Sequence, residues 1–236
     1  MKAVILAGGL GTRMGDETAV RPKPLVTVGG RPIIWHILKG YQVHGISDFI
    51  VCAGYAGDHL RTHFERERGE AWRVEVVDTG EATATAGRLR RVRHLVADAP
   101  FCMTYGDGVG AVDITALVEF HRGHGKLATV TAAHPRVPFG VVTFARDGSG
   151  TVDFAEKPLV TDLWVNSGFF VLEPRALDYI ARDDEHWERG PMADLARDGQ
   201  LRAYKHEGFW QCMDTPRDRE LLETLWREGH APWKMW

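Results

Sequence analysis

Residues 1–15 read MKAVILAGGLGTRMG, and the fold turns on how this stretch is read. Lys2–Ala7 is a short apolar run of the kind that suits a strand covered on both faces of a parallel sheet. Directly behind it stand Gly8, Gly9 and Gly11, followed by Thr12 and Arg13. In an open α/β sheet ligands sit beyond the carboxyl ends of the strands, so glycines at this point expose backbone N–H groups where an anion can reach them. Thr12 adds a hydroxyl, and Arg13 adds a planar fork that matches two phosphate oxygens. The same letters also describe a tight turn followed by an exposed arginine.

Working outward, "FIVCA" (49–53) is a second apolar run, and "RPIIWHILKGYQVHG" (31–45) between the two places Ile33, Ile34, Ile37, Leu38 and Tyr41 at helical spacing. Pro32 suits a first helical turn and Gly45 a stop, which completes a βαβ unit. The alternation recurs as strand 73–78, helix 86–96, strand 101–107 and helix 113–125, the last begun by Asp113. Such alternation predicts a doubly wound α/β sheet. Beyond residue 127 the strand candidates 127–133, 140–145, 151–156 and 166–173 read as mixed or antiparallel, with "RDGSG" (146–150) as a turn. Helices are expected near 174–182 and 216–228. No linker or repeat separates the halves, so one domain is expected.

Composition sets limits on function. With 44% hydrophobic and 26% charged residues the 236-residue chain reads as an ordinary folded protein. The net charge of −3 leaves no basic footprint for nucleic acid. No apolar run reaches the roughly 18 residues of a membrane span. The N-terminus lacks the pattern of a secretory signal, and a cytoplasmic setting is expected. Cys52, Cys102 and Cys212 form no CxxC pair, so no disulfide framework or thiolate metal site is expected. His59 and His63 are four apart but lack the glutamate of HExxH, and read as a surface pair.

Two familiar phosphate fingerprints fail here. GxGxxG started at Gly9 meets Met14 where its third glycine belongs, and the P-loop lysine is missing. Ten residues past Arg13, however, "RPKP" (21–24) holds Lys23 between two prolines that stiffen the backbone around it. "YGDGV" (105–109) sets Asp107 between two glycines at a strand end, where a carboxylate can hold a hard cation such as Mg²⁺ or simply form an Asp-Gly turn. "GFWQCMDT" (208–215) offers a second acid, Asp214. "FAEKP" (154–158) fixes Glu156 and Lys157 ahead of a proline, and Asn166 in "NSGFFVLEP" has an amide able to bond a sugar hydroxyl both ways. Together these residues describe a phosphate-rich site with a divalent metal, and no covalent nucleophile stands out.

These segments resemble the sugar-1-phosphate nucleotidyltransferase family, and within it the glucose-1-phosphate cytidylyltransferases. The resemblance rests on GGLGTR, RPKP, YGDGV, EKP and MDT, and on longer agreements such as "IIWHILKGYQVHGI", "VDTG", "GRLRRV" and "APWKMW". It implies a Rossmann-like mixed sheet of the nucleotidyltransferase, GT-A-like kind. About 1–125 would form the nucleotide-binding half and about 126–236 the sugar-phosphate half. The implied reaction is attack of a sugar 1-phosphate oxygen on the α-phosphorus of a nucleoside triphosphate, with pyrophosphate leaving. CTP and glucose 1-phosphate are the first pair implied, and another base or sugar, or a non-catalytic nucleotide-sugar binder, are the alternatives. A nicotinamide-linked reductase is disfavoured by the incomplete dinucleotide motif, and a glycosyltransferase by the lack of a DxD triplet.

The roles implied by the resemblance are specific. Leu6, Ala7, Gly8, Gly9, Gly11, Thr12, Arg13, Lys23 and Gly106 would line the nucleotide, with Thr85, Gly87 and Arg88 near its base and ribose. Arg13, Lys23, Asp107 and Asp214 would be catalytic, the two aspartates holding Mg²⁺. Glu156, Lys157, Asn166 and Gly168 would bind the sugar phosphate. The family also implies a homo-oligomer, although the connection after Phe64, "ERERGEAWRVE" (65–75), is shorter than the one those relatives use for subunit contacts. Ala86 and Ser167 stand where glycine is expected, and Cys212 where proline is expected.

Overall fold

The computed structural model describes residues 1–236 apart from 19, 20, 68, 69, 138, 146, 148 and 151 and the side chain of Asp16. The expected RDGSG turn and part of the connection after Phe64 therefore lie outside the described residues. The opening apolar run forms β1 (Lys2–Leu6), and the residues that follow give short pieces β2 (Thr27–Val28) and β3 (Arg31–Pro32) ahead of α1 (Ile33–Gln42). Alternation then continues as β4 (Asp48–Ala53), α2 (Gly57–Arg66), β5 (Arg73–Asp78), α3 (Thr85–Val92), β6 (Phe101–Tyr105), β7 (Gly108–Gly110) and α4 (Ile114–His124). The second half contributes β8 (Ala128–Ala133), β9 (Gly140–Phe144), β10 (Val152–Glu156), β11 (Val165–Leu172), α5 (Pro191–Arg197), β12 (Leu201–His206), β13 (Trp210–Cys212) and α6 (Pro216–Arg227).

Seven strands make one mixed sheet in the order β12-β8-β11-β6-β1-β4-β5. β1 pairs in parallel with both β4 and β6, β4 with β5, and β8 with β12. Only β11 runs against its neighbours β6 and β8. The cause is local: β11 enters opposite Ala133, where β8 has just ended, so the chain comes back along the path it left. The excursion between them is a separate ribbon of β9 and β10. Winding proceeds one way from β1 through β4 and the other way through β6, which opens a crevice at the carboxyl end of β1.

Alternate residues of β1 feed two cores. Ala3 and Ile5 pack beneath α1 with Ile33, Ile37 and Tyr41, and with Leu117 of α4 and Leu222 of α6. Val4 and Leu6 pack on the other face with Leu89 and Val92 of α3, Leu177, Trp187 and Leu195. Helices on both faces explain why β1, β4 and β6 read as continuous apolar runs. Asp113 caps α4, its carboxylate accepting from the Ala116 N–H at 2.9 Å, and Gly125 ends it at φ +62°.

Three expectations need correction. The helix expected over 86–96 ends at Val92 and finishes as a 3₁₀ turn, Arg93–Leu95. The helix expected near 174–182 is a 3₁₀ turn, Pro174–Tyr179. The strand β12 was not foreseen, because "LRAYKH" lies at the sheet edge and keeps Arg202 and Lys205 in water. Among the described residues no helix is long and apolar enough to cross a membrane.

Candidate active site

A cavity of about 630 Å³ opens at the carboxyl ends of β1 and β6. Its floor begins with the end of β1, Leu6 and Ala7, and continues through Gly8, Gly9, Gly11, Thr12 and Arg13. Two of these glycines have different physical reasons. A Cβ on Gly8 would lie 2.1 Å from the Arg88 guanidinium, whereas a Cβ on Gly9 would meet nothing within 4 Å. Gly8 is bare so that Arg88 can pass behind it, and Gly9 leaves its backbone open to the cavity. Gly11, at φ +66°, turns the loop down onto Thr18 and Lys23.

Lys23 is buried, starting a short 3₁₀ turn after Pro22. Pro24 packs on Gly106, where an added Cβ would stand 3.2 Å from its ring, so the proline fixes Lys23 beside Asp107. Asp214 reaches the same point from the other half of the chain. β13 pairs with β7 so that Cys212 faces Gly108, and the Met213 N–H donates to the Asp107 carbonyl at 2.8 Å. Asp214 then immediately precedes the capping box of α6, in which Thr215 Oγ1 accepts from the Asp218 N–H and the Asp218 carboxylate accepts from the Thr215 N–H.

These constraints bring the four expected catalytic side chains together. Lys23 Nζ donates to Asp107 Oδ2 at 2.7 Å and to Asp214 Oδ1 at 2.6 Å, and Arg13 Nη2 donates to Asp214 Oδ1 at 3.0 Å. Burial by itself would lower the Lys23 pKa, but Asp107 and Asp214 outweigh it and hold the ammonium above its ordinary value. Burial pushes the Asp214 carboxyl upward, and Lys23 with Arg13 overcomes this and holds it below the usual range. Both groups are therefore charged at neutral pH. The oxygen donors converge on a cation position, which is the donor chemistry a hard divalent ion requires.

Cys212 Sγ lies 3.5 Å from Asp214 Oδ2, and burial, reinforced by the nearby carboxylates, pushes its thiol up to about 12. It is a neutral neighbour of the acids and no nucleophile at physiological pH.

Asn166 and Gly168 reach the cavity through an irregularity in β11, whose register shifts between Asn166 and Phe170. Gly168 takes φ +83° with the Tyr105 ring against it, and its N–H donates to Asn166 Oδ1 at 2.8 Å. Ser167, one of the departures, turns its hydroxyl onto the Thr131 carbonyl at 2.8 Å. Ala86, another, is buried among the core residues of α3. Neither added side chain projects a free polar group toward a ligand.

Thr85 and Arg88 line the cavity, but Gly87 does not: an added Cβ would lie 2.1 Å from the Asp183 carbonyl, so this glycine serves helix-to-loop packing. Arg88 is buried and donates to the carbonyls of Gly8, Ala53, Gly80 and Glu81 and to Thr79 Oγ1. It ties the ends of β1, β4 and β5 together, and burial lowers its pKa. Glu156 and Lys157 stand at the end of the ribbon, paired with each other at 3.0 Å and outside the cavity lining, with Lys157 in the left-handed region at φ +50°.

Several lining residues escaped the sequence reading. Glu188 accepts from Tyr105 Oη and, at 3.3 Å, from Thr85 Oγ1, and burial and Glu188 push the Tyr105 phenol far up. Trp210 also lines the cavity, with its indole N–H buried and unpartnered. Tyr105 adjoins the GDG motif, which gave a signal. Glu188 had none, since "HWERGP" contains no strand end.

A mixed sheet with a glycine loop at its switch point, and a lysine bridging two aspartates in front of that loop, define a class of phosphoryl-group transferase. The family model described as "Nucleotidyl transferase" matches residues 2–210, and the chain belongs to this family. It is 48% identical over the full length of both chains to glucose-1-phosphate cytidylyltransferase of Salmonella typhimurium, and 32% identical to mannose-1-phosphate guanyltransferase beta-A of Xenopus laevis over 99% of this chain and 68% of that one. The fold is that of HddC from Yersinia pseudotuberculosis complexed with GMP-PN, with TM-score 0.75, 19% identity and coverage of 95% and 99% of the two chains.

Proposed function

We propose that the protein transfers a cytidylyl group from CTP to α-D-glucose 1-phosphate, releasing pyrophosphate, with Mg²⁺ as its divalent ion. One observation carries this reading: Lys23 lies within 2.7 Å of both Asp107 and Asp214, directly beside the glycine loop. Full-length similarity to a glucose-1-phosphate cytidylyltransferase supports the choice of substrates. Ala86 is buried in the core and Ser167, at the cavity wall, spends its hydroxyl on the Thr131 carbonyl, which supports retention of that choice.

In this reading the N–H groups of Gly8, Gly9 and Gly11 receive the triphosphate, and Thr12 and Arg13 hold its outer phosphates. An oxygen of the sugar phosphate attacks the α-phosphorus, the bond to the β-phosphate oxygen breaks, and the electron pair leaves with pyrophosphate. Lys23 moves from the carboxylates onto the phosphoryl oxygens, where its fixed charge counts most as negative charge develops. Asp107 and Asp214 would hold Mg²⁺, which when bound neutralises phosphate charge. Thr85 and Arg88 border the nucleoside end. Gly168 borders the sugar, Asn166 with Glu156 meets its hydroxyls, and Lys157 meets its phosphate from the ribbon. A cytoplasmic setting, residues 1–125 as the nucleotide half and 126–236 as the sugar half belong to the same reading.

A matrix of common nucleoside triphosphates against sugar 1-phosphates, followed by pyrophosphate release and product mass, tests it. CTP with glucose 1-phosphate is expected to give CDP-glucose at the highest kcat/KM. Activity confined to dTTP or GTP would overturn the substrate assignment.

A further inference from the structure

One wall of the cavity carries a carboxylate that the proposed reaction leaves without a task. Glu188 follows Trp187, whose side chain is fully buried and whose N–H donates to Thr85 Oγ1 at 2.8 Å. The Ala84 and Ala86 N–H groups donate to the carbonyls of Asp183 and Glu185, both at 3.0 Å, so the segment before Glu188 is docked on the start of α3. From that base the two carboxylate oxygens are committed to two different hydroxyls. Oε1 accepts from Tyr105 Oη, and Oε2 accepts from Thr85 Oγ1 at 3.3 Å. All three residues line the cavity.

Tyr105 leads on to the sugar side. Its ring lies against Gly168, where an added Cβ would stand 2.5 Å from Cδ2, so any side chain at 168 would push the ring away. Asn166 is held from two directions. Its Oδ1 accepts from the Gly168 N–H at 2.8 Å, and its amide hydrogen-bonds the Tyr105 hydroxyl. Because the Tyr105 proton is given to Glu188, that second bond can run only from Asn166 Nδ2 to Tyr105 Oη. An amide so held keeps one N–H and one oxygen lone pair for a ligand, which is what bonding a single hydroxyl both ways requires. We infer that Glu188 and Tyr105 are positioning residues: the carboxylate orients the phenol, the phenol orients the Asn166 amide, and the amide is thereby set to select one orientation of a sugar hydroxyl. The inference rests on the reading of Asn166 as a ligand of those hydroxyls. Without the carboxylate, the phenol can turn its proton onto Asn166 Oδ1, and the amide can turn over and exchange its donor for its acceptor.

Asn166 is the only asparagine in the chain, so asparagine isotope-labelled in its side-chain amide nitrogen gives one NH₂ signal by NMR, recorded without substrate. Tyr105→Phe and Glu188→Ala are each expected to shift that signal, and Glu188→Ala to add no further shift on the Tyr105→Phe background. Glu188 is exposed, so its truncation leaves the fold standing. Glu188→Gln, which keeps an acceptor for the phenol, is expected to return the signal most of the way. In kinetics, Tyr105→Phe and Glu188→Ala are each expected to raise KM for glucose 1-phosphate on the order of tenfold, by more than either lowers kcat. The double variant is expected to raise it no further than one single does. An amide signal unmoved by Glu188→Ala, or moved equally with and without the Tyr105 hydroxyl, would overturn the inference. So would KM effects that multiply in the double variant, the mark of Glu188 touching the sugar itself. A chain that makes no CDP-glucose would strike the reading of the substrates, and the amide signal, which needs none, still decides the positioning.

Discussion

Lys23 balances the charge of the site at the scale of single residues. Two carboxylates lie 2.6 and 2.7 Å from one buried ammonium, which neutralises their mutual repulsion in this structure. Lys23→Met is expected to lower kcat by about 10²–10³ with the fold retained, and Asp214→Asn to abolish turnover while CTP still binds, both read by pyrophosphate release and by titration calorimetry. Gly8 and Gly9 give a sharper contrast because their neighbours differ. Gly8→Ala pushes on a guanidinium pinned by five acceptors and is expected to cost about 1–3 kcal/mol of stability. Gly9→Ala meets no neighbour and is expected to change stability by no more than about 0.5 kcal/mol while raising KM for the triphosphate. Denaturant unfolding and KM measured on both variants check the pair. The residues of this centre were legible in sequence because Asp107 sits between two glycines at a strand end, Lys23 between two prolines and Arg13 just behind the glycine loop, and such residues mark backbone that must approach something closely. Glu188 was not legible, because its role comes from Tyr105 and Thr85, both remote in sequence.

At the scale of elements, α1 is locked against the end of the chain through a histidine. His36 Nε2 lies 2.9 Å from the Val28 carbonyl and Nδ1 accepts from the Trp233 indole N–H at 3.3 Å, so the ring is neutral with its proton on Nε2. Burial lowers its pKa, and burial likewise lowers those of His121 and His124, which share the Thr129 hydroxyl at 2.8 and 2.7 Å. A base whose folded pKa lies below its unfolded value near 6.5 binds its proton more readily when unfolded. Stability is therefore complete above that value and falls as pH drops through 6.5 toward the folded pKa. The melting temperature is expected to decline between about pH 7 and 5, and His36→Gln is expected to flatten part of that slope. Asp214 and Lys23 at the site titrate elsewhere. Asp214, depressed, gives up its contribution only in acid below its ordinary value, and Lys23, raised, only in alkali above 10.5. The βαβ elements of the first half were legible from apolar period alone, since both faces of the sheet are covered. β12 and β13 were not, because an edge strand and a three-residue strand are specified by their partners rather than by their own pattern.

At the scale of the whole molecule, the cavity is made from both halves, with Lys23 and Asp107 from one and Asp214 and Asn166 from the other. A ligand that bridges them stabilises the entire fold by mass action. At a concentration of CTP with Mg²⁺ about one hundred times its Kd, stabilisation of about 2.7 kcal/mol is expected, or a rise of about 5–10 °C in melting temperature at this chain length. The rise is expected to vanish in Lys23→Met if the lysine is the common anchor, and differential scanning calorimetry reads it. The meeting of the two halves was foreseeable only from the resemblance, since nothing in a linear pattern tells where residue 214 lies relative to residue 107.

Trp210 has a practical consequence. Its indole forms part of the cavity wall with an unpaired N–H, while Trp226, Trp233 and Trp236 are packed with His36 on the far side of α1. Emission from Trp210 is expected to respond to an entering nucleotide more than emission from that group, which lies outside the cavity lining. The molecule thus carries its own optical gauge of occupancy, and Trp210→Phe supplies the blank against which it is calibrated.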